Sequence, residues 1–384
     1  MINILVHFLK FIVALNLLLP VTLYIFWRFS GRTQKTVSFN VEERDYAIIV
    51  TAYEQTVFIP EVVRSLLDMD YHNFMVYIVA DNCIADENLI FDDPRVIVLY
   101  PPNVLASNIR SHFFAIDNFS RDHEVLLIMD SDNLAHPTLL KELNDQFNQG
   151  FHAVQGIREA KNLDTTLAAL DAARDIYYHF YDGQLLFDLG SSATLSGSGM
   201  AFDVALYREC LEKSTMSGAG FDKVLQAQIL GRNQRIAFSK EAIVYDQKTA
   251  SSGQLVNQRS RWISTWFRFF KYGFSLIFKG ISNFSINQLL FGIILLRPPL
   301  FMFLLLGVVL VVLNLFINPF FSLVLCFCFA MFVLGFIIAL KSHKTDERIY
   351  KALRFIPVFI FYQLISLMKS LLPNKKNIAT KHNK

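Results

Sequence analysis

Two carboxylates one residue apart, Asp130 and Asp132, close the unbroken apolar run Val125–Met129. Such a run reads as a strand buried on both faces of a parallel sheet. The carboxyl ends of strands in open α/β sheets are where ligands bind. Carboxylates at i and i+2 with a serine between them can turn toward one hard cation. Mg2+ and Mn2+ prefer oxygen ligands and share them with substrate phosphates. A polar turn with an Asx cap would use the same residues. Two further strand ends carry similar chemistry. Thr51-Ala52-Tyr53-Glu54 follows one β-branched run, and Asp81-Asn82 follows another. The tyrosine could stack on a nucleotide base, and Asp81 could accept from base or ribose. Each alone is a turn residue more often than a ligand. Their convergence on one end of a sheet is not.

The elements needed to position these groups can be read from the same stretch. Strands are expected at Tyr46–Thr51, Phe74–Ala80, Arg95–Tyr100 and Val125–Met129. Helical periodicity runs over Phe58–Leu67 and Ala106–Phe119, and a further helix is expected to begin at Pro137. Strand and helix signals alternate through Val41–Tyr272, which argues for a βαβ architecture and a fold of the α/β class.

Composition places this domain at a membrane. Of the 384 residues 53% are hydrophobic and 37 are Phe, and the mean hydropathy is +0.36, too high for an ordinary soluble chain. A net charge of +3, without basic tracts interleaved with aromatics, argues against nucleic acid. The four cysteines lack metal-type spacing, and two lie in an apolar run, so reduced thiols are expected.

Ile2–Phe29 is long enough to span a bilayer, and no A-x-A-like site follows it, so an uncleaved anchor is preferred over a signal peptide. Arg28, Arg32 and Lys35 place its carboxyl end in the cytoplasm. Leu300–Ile317 and Phe320–Leu340 form two more spans around the turn Asn318-Pro319. Phe355–Leu372 is long enough to cross, but the basic tail would then end outside, and an interfacial or re-entrant helix competes with a span.

With Asp81 in VADN, Asp130 and Asp132 in MDSDN, Asp222 in GFDK, and Gln258, Arg261 and Trp262 in QRSRW, the chain resembles family 2 glycosyltransferases. The membrane-embedded processive type, which makes cellulose, chitin, hyaluronan and poly-N-acetylglucosamine, carries this ordered set. Ser196-Gly197-Ser198-Gly199-Met200 is similar to that family's small-residue segment. The resemblance implies a GT-A fold with N- and C-terminal transmembrane helices. It also implies a nucleotide-sugar donor, usually a UDP-sugar, a divalent metal (Mg2+ or Mn2+) and inversion at the anomeric carbon.

By matching position, Thr51, Tyr53 and Glu54 would line the uridine pocket and Asp81 would hold the nucleotide. Asp130 would serve nucleotide and metal, and Asp132 the metal. Asp222 would be the catalytic base; capping a helix Lys223–Leu230 is the alternative. Gln258, Arg261 and Trp262 share one helical face, where the Arg fork suits a diphosphate and the Trp ring a sugar. In the family a Gly-Lys pair precedes the helix after the third strand. Here Ser107-Asn108 stands there, with Arg110 as the possible substitute. His112, His136 and His179 lack ligand spacing and are read as surface or core residues.

The expected organisation is an anchor over 1–29, a cytosolic GT-A domain over 41–252 and interfacial amphipathic helices over 253–296. A transmembrane region over 297–372 and a basic tail over 373–384 follow. The expected activity is extension of a polysaccharide at a bacterial inner membrane, alone or with other synthase or export subunits. Transfer of a single sugar to a lipid or lipid-linked acceptor is the alternative, because two firm spans after the domain are few for a polymer channel.

Overall fold

The computed structural model describes residues 2–30, 42–216 and 218–371; Arg32, Lys35 and the tail 373–384 lie outside them. Helix α1 (Ile2–Ser30) leads into the domain. There follow β1 (Tyr46–Tyr53), α2 (Ile59–Leu67), β2 (Phe74–Asp81), β3 (Val96–Leu99), α3 (Asn108–Asp117), β4 (Val125–Asp130), β5 (Leu134–Ala135) and α4 (Leu139–Asn148). The second half holds β6 (Ala153–Ala160), α5 (Thr166–Tyr178), a π-helical turn His179–Leu185 and the short α6 (Leu186–Asp188). It closes with β7 (Met200–Asp203), α7 (Val204–Leu211), α8 (Phe221–Gly231) and β8 (Ala237–Asp246).

These strands make one eight-stranded sheet in the order β3-β2-β1-β4-β7-β6-β8-β5. β3, β2, β1 and β4 are parallel, as their apolar runs require. The sheet is mixed, however: β7 runs antiparallel between β4 and β6, and β5 antiparallel to β8. Val125–Met129 is buried throughout. Burial contributes roughly 1.5–3 kcal/mol per large apolar side chain, so the strand that ends in Asp130 is held stiffly.

Two expected helix starts move for local reasons. The third helix begins at Asn108 and not Ala106, because Ala106 sits at φ +44 and Ser107 caps the helix. The helix expected at Pro137 begins at Leu139, since the Pro137 carbonyl accepts from the Asp70 N–H at 2.8 Å.

Beyond the sheet come α9 (Ser252–Phe269), α10 (Tyr272–Ser282), α11 (Ile286–Leu296), α12 (Leu300–Ile317), α13 (Pro319–Ser342), α14 (Glu347–Ala352) and α15 (Ile356–Ser370). Among the described residues, four helical stretches are long and apolar enough to cross a membrane: Val6–Ser30, Leu300–Ile317, Pro319–Ser342 and Glu347–Ser370. α1, α12 and α13 pack on one another. α15 instead lies against α9, with Ser264 Oγ donating to the Ser370 carbonyl at 3.3 Å and Lys369 donating to Asn257. Near its start, Phe359 lies 6.0 Å from the Arg259 guanidinium.

Candidate active site

The parallel register builds the rim of the site. β1 lies between β2 and β4, which pairs Tyr53 with Asp81 and Thr51 with Asp130. Four expected residues therefore reach the same edge through backbone pairing alone. They open into a cavity of about 1060 Å³. Thr51, Tyr53, Asp81, Asp130, Asp132, Asp222, Gln258, Arg261 and Trp262 all line it.

Glu54 does not line the cavity. Its left-handed backbone (φ +59) turns the side chain out to solvent, where it accepts from Asn82 Nδ2 at 3.2 Å. Ser107 and Asn108 line the pocket, whereas Arg110 is exposed outside it.

Asp81 is buried, and its two oxygens accept from the Leu105 and Ala106 N–H groups at 2.8 and 2.7 Å. It therefore shapes the loop that walls the pocket, with lone pairs remaining for a ligand. The segment Ser196–Met200 serves the same end of β4. Ser198 Oγ accepts from the Asp130 N–H at 3.1 Å and from Asn133 Nδ2 at 2.8 Å. Gln155 Oε1 accepts from the Ser196 N–H at 2.9 Å.

Burial, the neighbouring Asp132 charge and Asp246 push the Asp130 carboxyl up to about 7, against the pull of Arg158 and Arg261. Asp132 is pushed up to about 6 by burial and by Asp246. Two carboxylates that resist sharing negative charge are what a divalent cation would relieve. No group of three or more His, Cys, Asp or Glu side chains converges as a cation cage among the described residues. The pair thus fits a hard cation that takes few protein carboxylates and completes its shell with phosphate and water oxygens.

Asp222 lies in the first turn of α8, one residue inside its start; Gly220 occupies the cap position, and no side chain caps the helix. The capping alternative for Asp222 therefore lapses. Lys223 Nζ stands 3.1 Å from Asp222 Oδ2 and donates to the Leu195 carbonyl at 3.0 Å. Gly220 is required here: at φ +99, an added Cβ would lie 2.5 Å from Thr265 Cγ2 and 2.7 Å from Phe269. The start of α8 is thereby pressed onto α9, the helix that carries Gln258, Arg261 and Trp262. Two guanidinium groups stack on the Trp262 ring, Arg259 at 4.2 Å and Arg174 at 4.8 Å.

Several lining residues were not foreseen: Arg158, Arg174, Asp182, Asp246 and Arg297. Asp246 had a signal, since it ends the apolar run Ala242–Tyr245 as Asp130 ends its own. Asp182 and its ion-pair partner Arg297 had none, because a π-helical turn and a loop 115 residues apart bring them together. His112 is a core residue that hydrogen-bonds the Tyr207 hydroxyl at 2.7 Å, and His136 bonds Thr138. His179 lines the cavity, and burial holds its imidazole down to about 3.

The cavity does not stop at the polar rim. It continues between α12, α13 and α15, where Leu304, Phe332, Phe336 and Ile360 form its wall.

A family model described as glycosyltransferase-like family 2 matches residues 43–265, more than half of the chain. The chain belongs to that family. A mannosyltransferase from Pyrobaculum calidifontis, solved in complex with GDP-Man and Mn2+, superimposes with a TM-score of 0.55 at 11% identity. The match covers 94% of this chain and 99% of that one, and shows a shared fold, GT-A in kind. No curated protein matched the sequence. This family 2 member is accordingly a transferase of the nucleotide-sugar-using kind, with apolar helices at both ends of a mixed α/β domain.

Proposed function

We propose that the protein is a membrane-anchored, metal-dependent, inverting glycosyltransferase. It moves one sugar from a nucleoside-diphosphate sugar, with UDP-sugars the first candidates, to a hydroxyl of a lipid-linked acceptor. One observation carries the choice of acceptor. A single cavity runs from Asp130 and Asp132 past Asp222 to an apolar wall between α12, α13 and α15. A growing polysaccharide has hydroxyls on every sugar that need partners, and this wall offers Leu, Phe and Ile. A lipid chain needs only such a wall.

In this reading Thr51, Tyr53 and Asp81 hold base and ribose, and Gln258 and Arg261 face the diphosphate. Asp130 and Asp132 would hold Mg2+ or Mn2+, which when bound neutralises charge developing on the departing diphosphate. Asp222 takes the proton of the acceptor hydroxyl as that oxygen attacks the anomeric carbon from the face opposite the leaving group. A positioned general base contributes about 10²–10⁴-fold. The last turns of α1 and α13 carry Arg28 and Lys341, and the neighbouring Trp27 and His343 reach the domain at Asp188 and Glu159, which supports a cytoplasmic domain. The contacts of α15 along α9 support an interfacial helix over a fourth span.

The test is Asp222→Asn in membranes supplied with a panel of labelled UDP- and GDP-sugars. Turnover should fall about 10²–10⁴-fold, while titration with UDP or GDP still shifts the melting temperature. Wild-type product should extract into chloroform–methanol as one labelled species. A size ladder in the aqueous phase would establish polymer synthesis in its place, and full turnover by the variant would remove Asp222 as the base.

A further inference from the structure

A string of seven buried or half-buried charges of alternating sign runs through the molecule and takes part in none of the steps above. Arg259 of α9 pairs with Asp171 of α5. Arg174 Nε lies 3.2 Å from the same Asp171 oxygen, and its Nη2 lies 2.5 Å from Asp175. Lys248 Nζ then joins Asp175 at 2.5 Å to Asp246 at 2.8 Å. Asp246 stands 2.6 Å from Arg158, whose Nη1 donates to the Ser196 carbonyl at 2.6 Å.

The two ends of the string meet the two parts of the site. Arg259 and Arg174 stack on Trp262 at one end. Arg158 at the other holds the segment whose Ser198 receives the Asp130 N–H.

Stability does not account for such an arrangement. Taking ions out of water costs so much that apolar side chains of equal volume serve as well or better. An alternating ion chain offers what an apolar core does not: each charge accepts only neighbours of opposite sign in fixed places, so the elements that carry the charges have a single register. Here those elements are α5, α9 and the strand ends of β6 and β8.

We infer that the string is a positioning device that fixes the Gln258–Arg261–Trp262 face of α9 relative to Asp130 and Asp132. Lys248, the middle member, is its positioning residue. Its side chain is 1% exposed, and it does not line the cavity, so it touches neither donor nor acceptor. The string has four cations and three carboxylates. Arg158, at one end of the string, opposes the negative charge of Asp130 and Asp132.

The experiment compares Lys248→Met, Lys248→Arg and the double variant Asp175→Asn/Lys248→Met in the full chain. Each is assayed by release of UDP or GDP from the nucleotide sugar that the wild type turns over fastest, normalised to folded protein by melting curves. Lys248→Met is expected to lower kcat at least tenfold with the donor KM within threefold, and Lys248→Arg to restore kcat to within threefold. The double variant keeps the buried charges balanced, so it should recover folded yield and remain as slow as Lys248→Met. Wild-type kcat per folded molecule in the double variant would show a purely structural role and overturn the inference. So would a loss confined to KM, or no rescue by arginine. If Lys248→Met does not fold, the double variant decides. A wild type that releases no nucleotide from any sugar would instead refute the proposed function.

Discussion

The two halves of the cavity are built on opposite principles. The donor half stands on the backbone: strand register places Thr51, Tyr53, Asp81 and Asp130, and backbone N–H groups donating to Asp81 and Ser198 fix the loops around them. The membrane half stands on side-chain packing, with Leu304, Phe332, Phe336 and Ile360 contributed by three separate helices, α12, α13 and α15. Polar recognition demands geometry, so it was assigned to the stiffest element. Apolar recognition demands only area, so it was left to helix faces that can adjust.

The strongest way to break this contrast is to disarm the donor half alone. Asp132→Asn keeps the volume of the side chain and removes one of two carboxylates. If these hold the cation, turnover should fall by about three orders of magnitude, in line with several kcal/mol of lost charge stabilisation. The stimulation by added Mn2+ should vanish with it. Measurement of nucleotide release across a Mn2+ titration checks this, and a variant that keeps its Mn2+ response would separate Asp132 from the metal.

A smaller and selective effect is expected in the membrane half. Ile360→Ala on α15 removes apolar area from the wall without touching a polar group. The KM for a chloroform-soluble acceptor should rise about three- to tenfold, a loss of about 0.7–1.4 kcal/mol. The KM for the nucleotide sugar should not move. Equal changes in both would mean that the two halves are not separable.

The same division governs what the sequence disclosed. Strand ends are legible because apolar runs mark the strands and parallel pairing does the rest; Asp130 and Asp81 needed no tertiary information. Asp222 needed the family pattern, and its environment was invisible, since Gly220 matters only once Thr265 and Phe269 lie against it. Glu54 follows Tyr53 directly, yet one left-handed residue turns it away. The antiparallel β7 was missed because Met200–Asp203 is four residues long and enters the sheet by pairing with β4 and β6, which no local pattern records. The charge string from Arg259 to Arg158 was illegible for the same reason: its members are scattered between residues 158 and 259, and alternation appears only in space.

The smallest effect on activity is expected inside the donor half, behind Asp222. His112 of α3, on the donor side, hydrogen-bonds Tyr207 and meets the Phe221 ring edge-on at 5.1 Å, one residue before Asp222. Burial holds its imidazole down to about 3, so the folded protein keeps it neutral through the range in which the unfolded chain protonates it. The unfolded state then binds more protons below about pH 6.5, and stability is lost as pH falls. Between pH 7 and pH 5 this one group should cost about 2 kcal/mol. Asp130 and Asp132 work in the opposite direction, because their raised values mean that the folded state binds the extra proton. The raw slope of melting temperature against pH therefore mixes signs. The informative quantity is the difference between wild type and His112→Gln, which should lose less stability on acidification while retaining its kcat at pH 7.5. Identical slopes would mean that His112 is not held neutral in the folded protein.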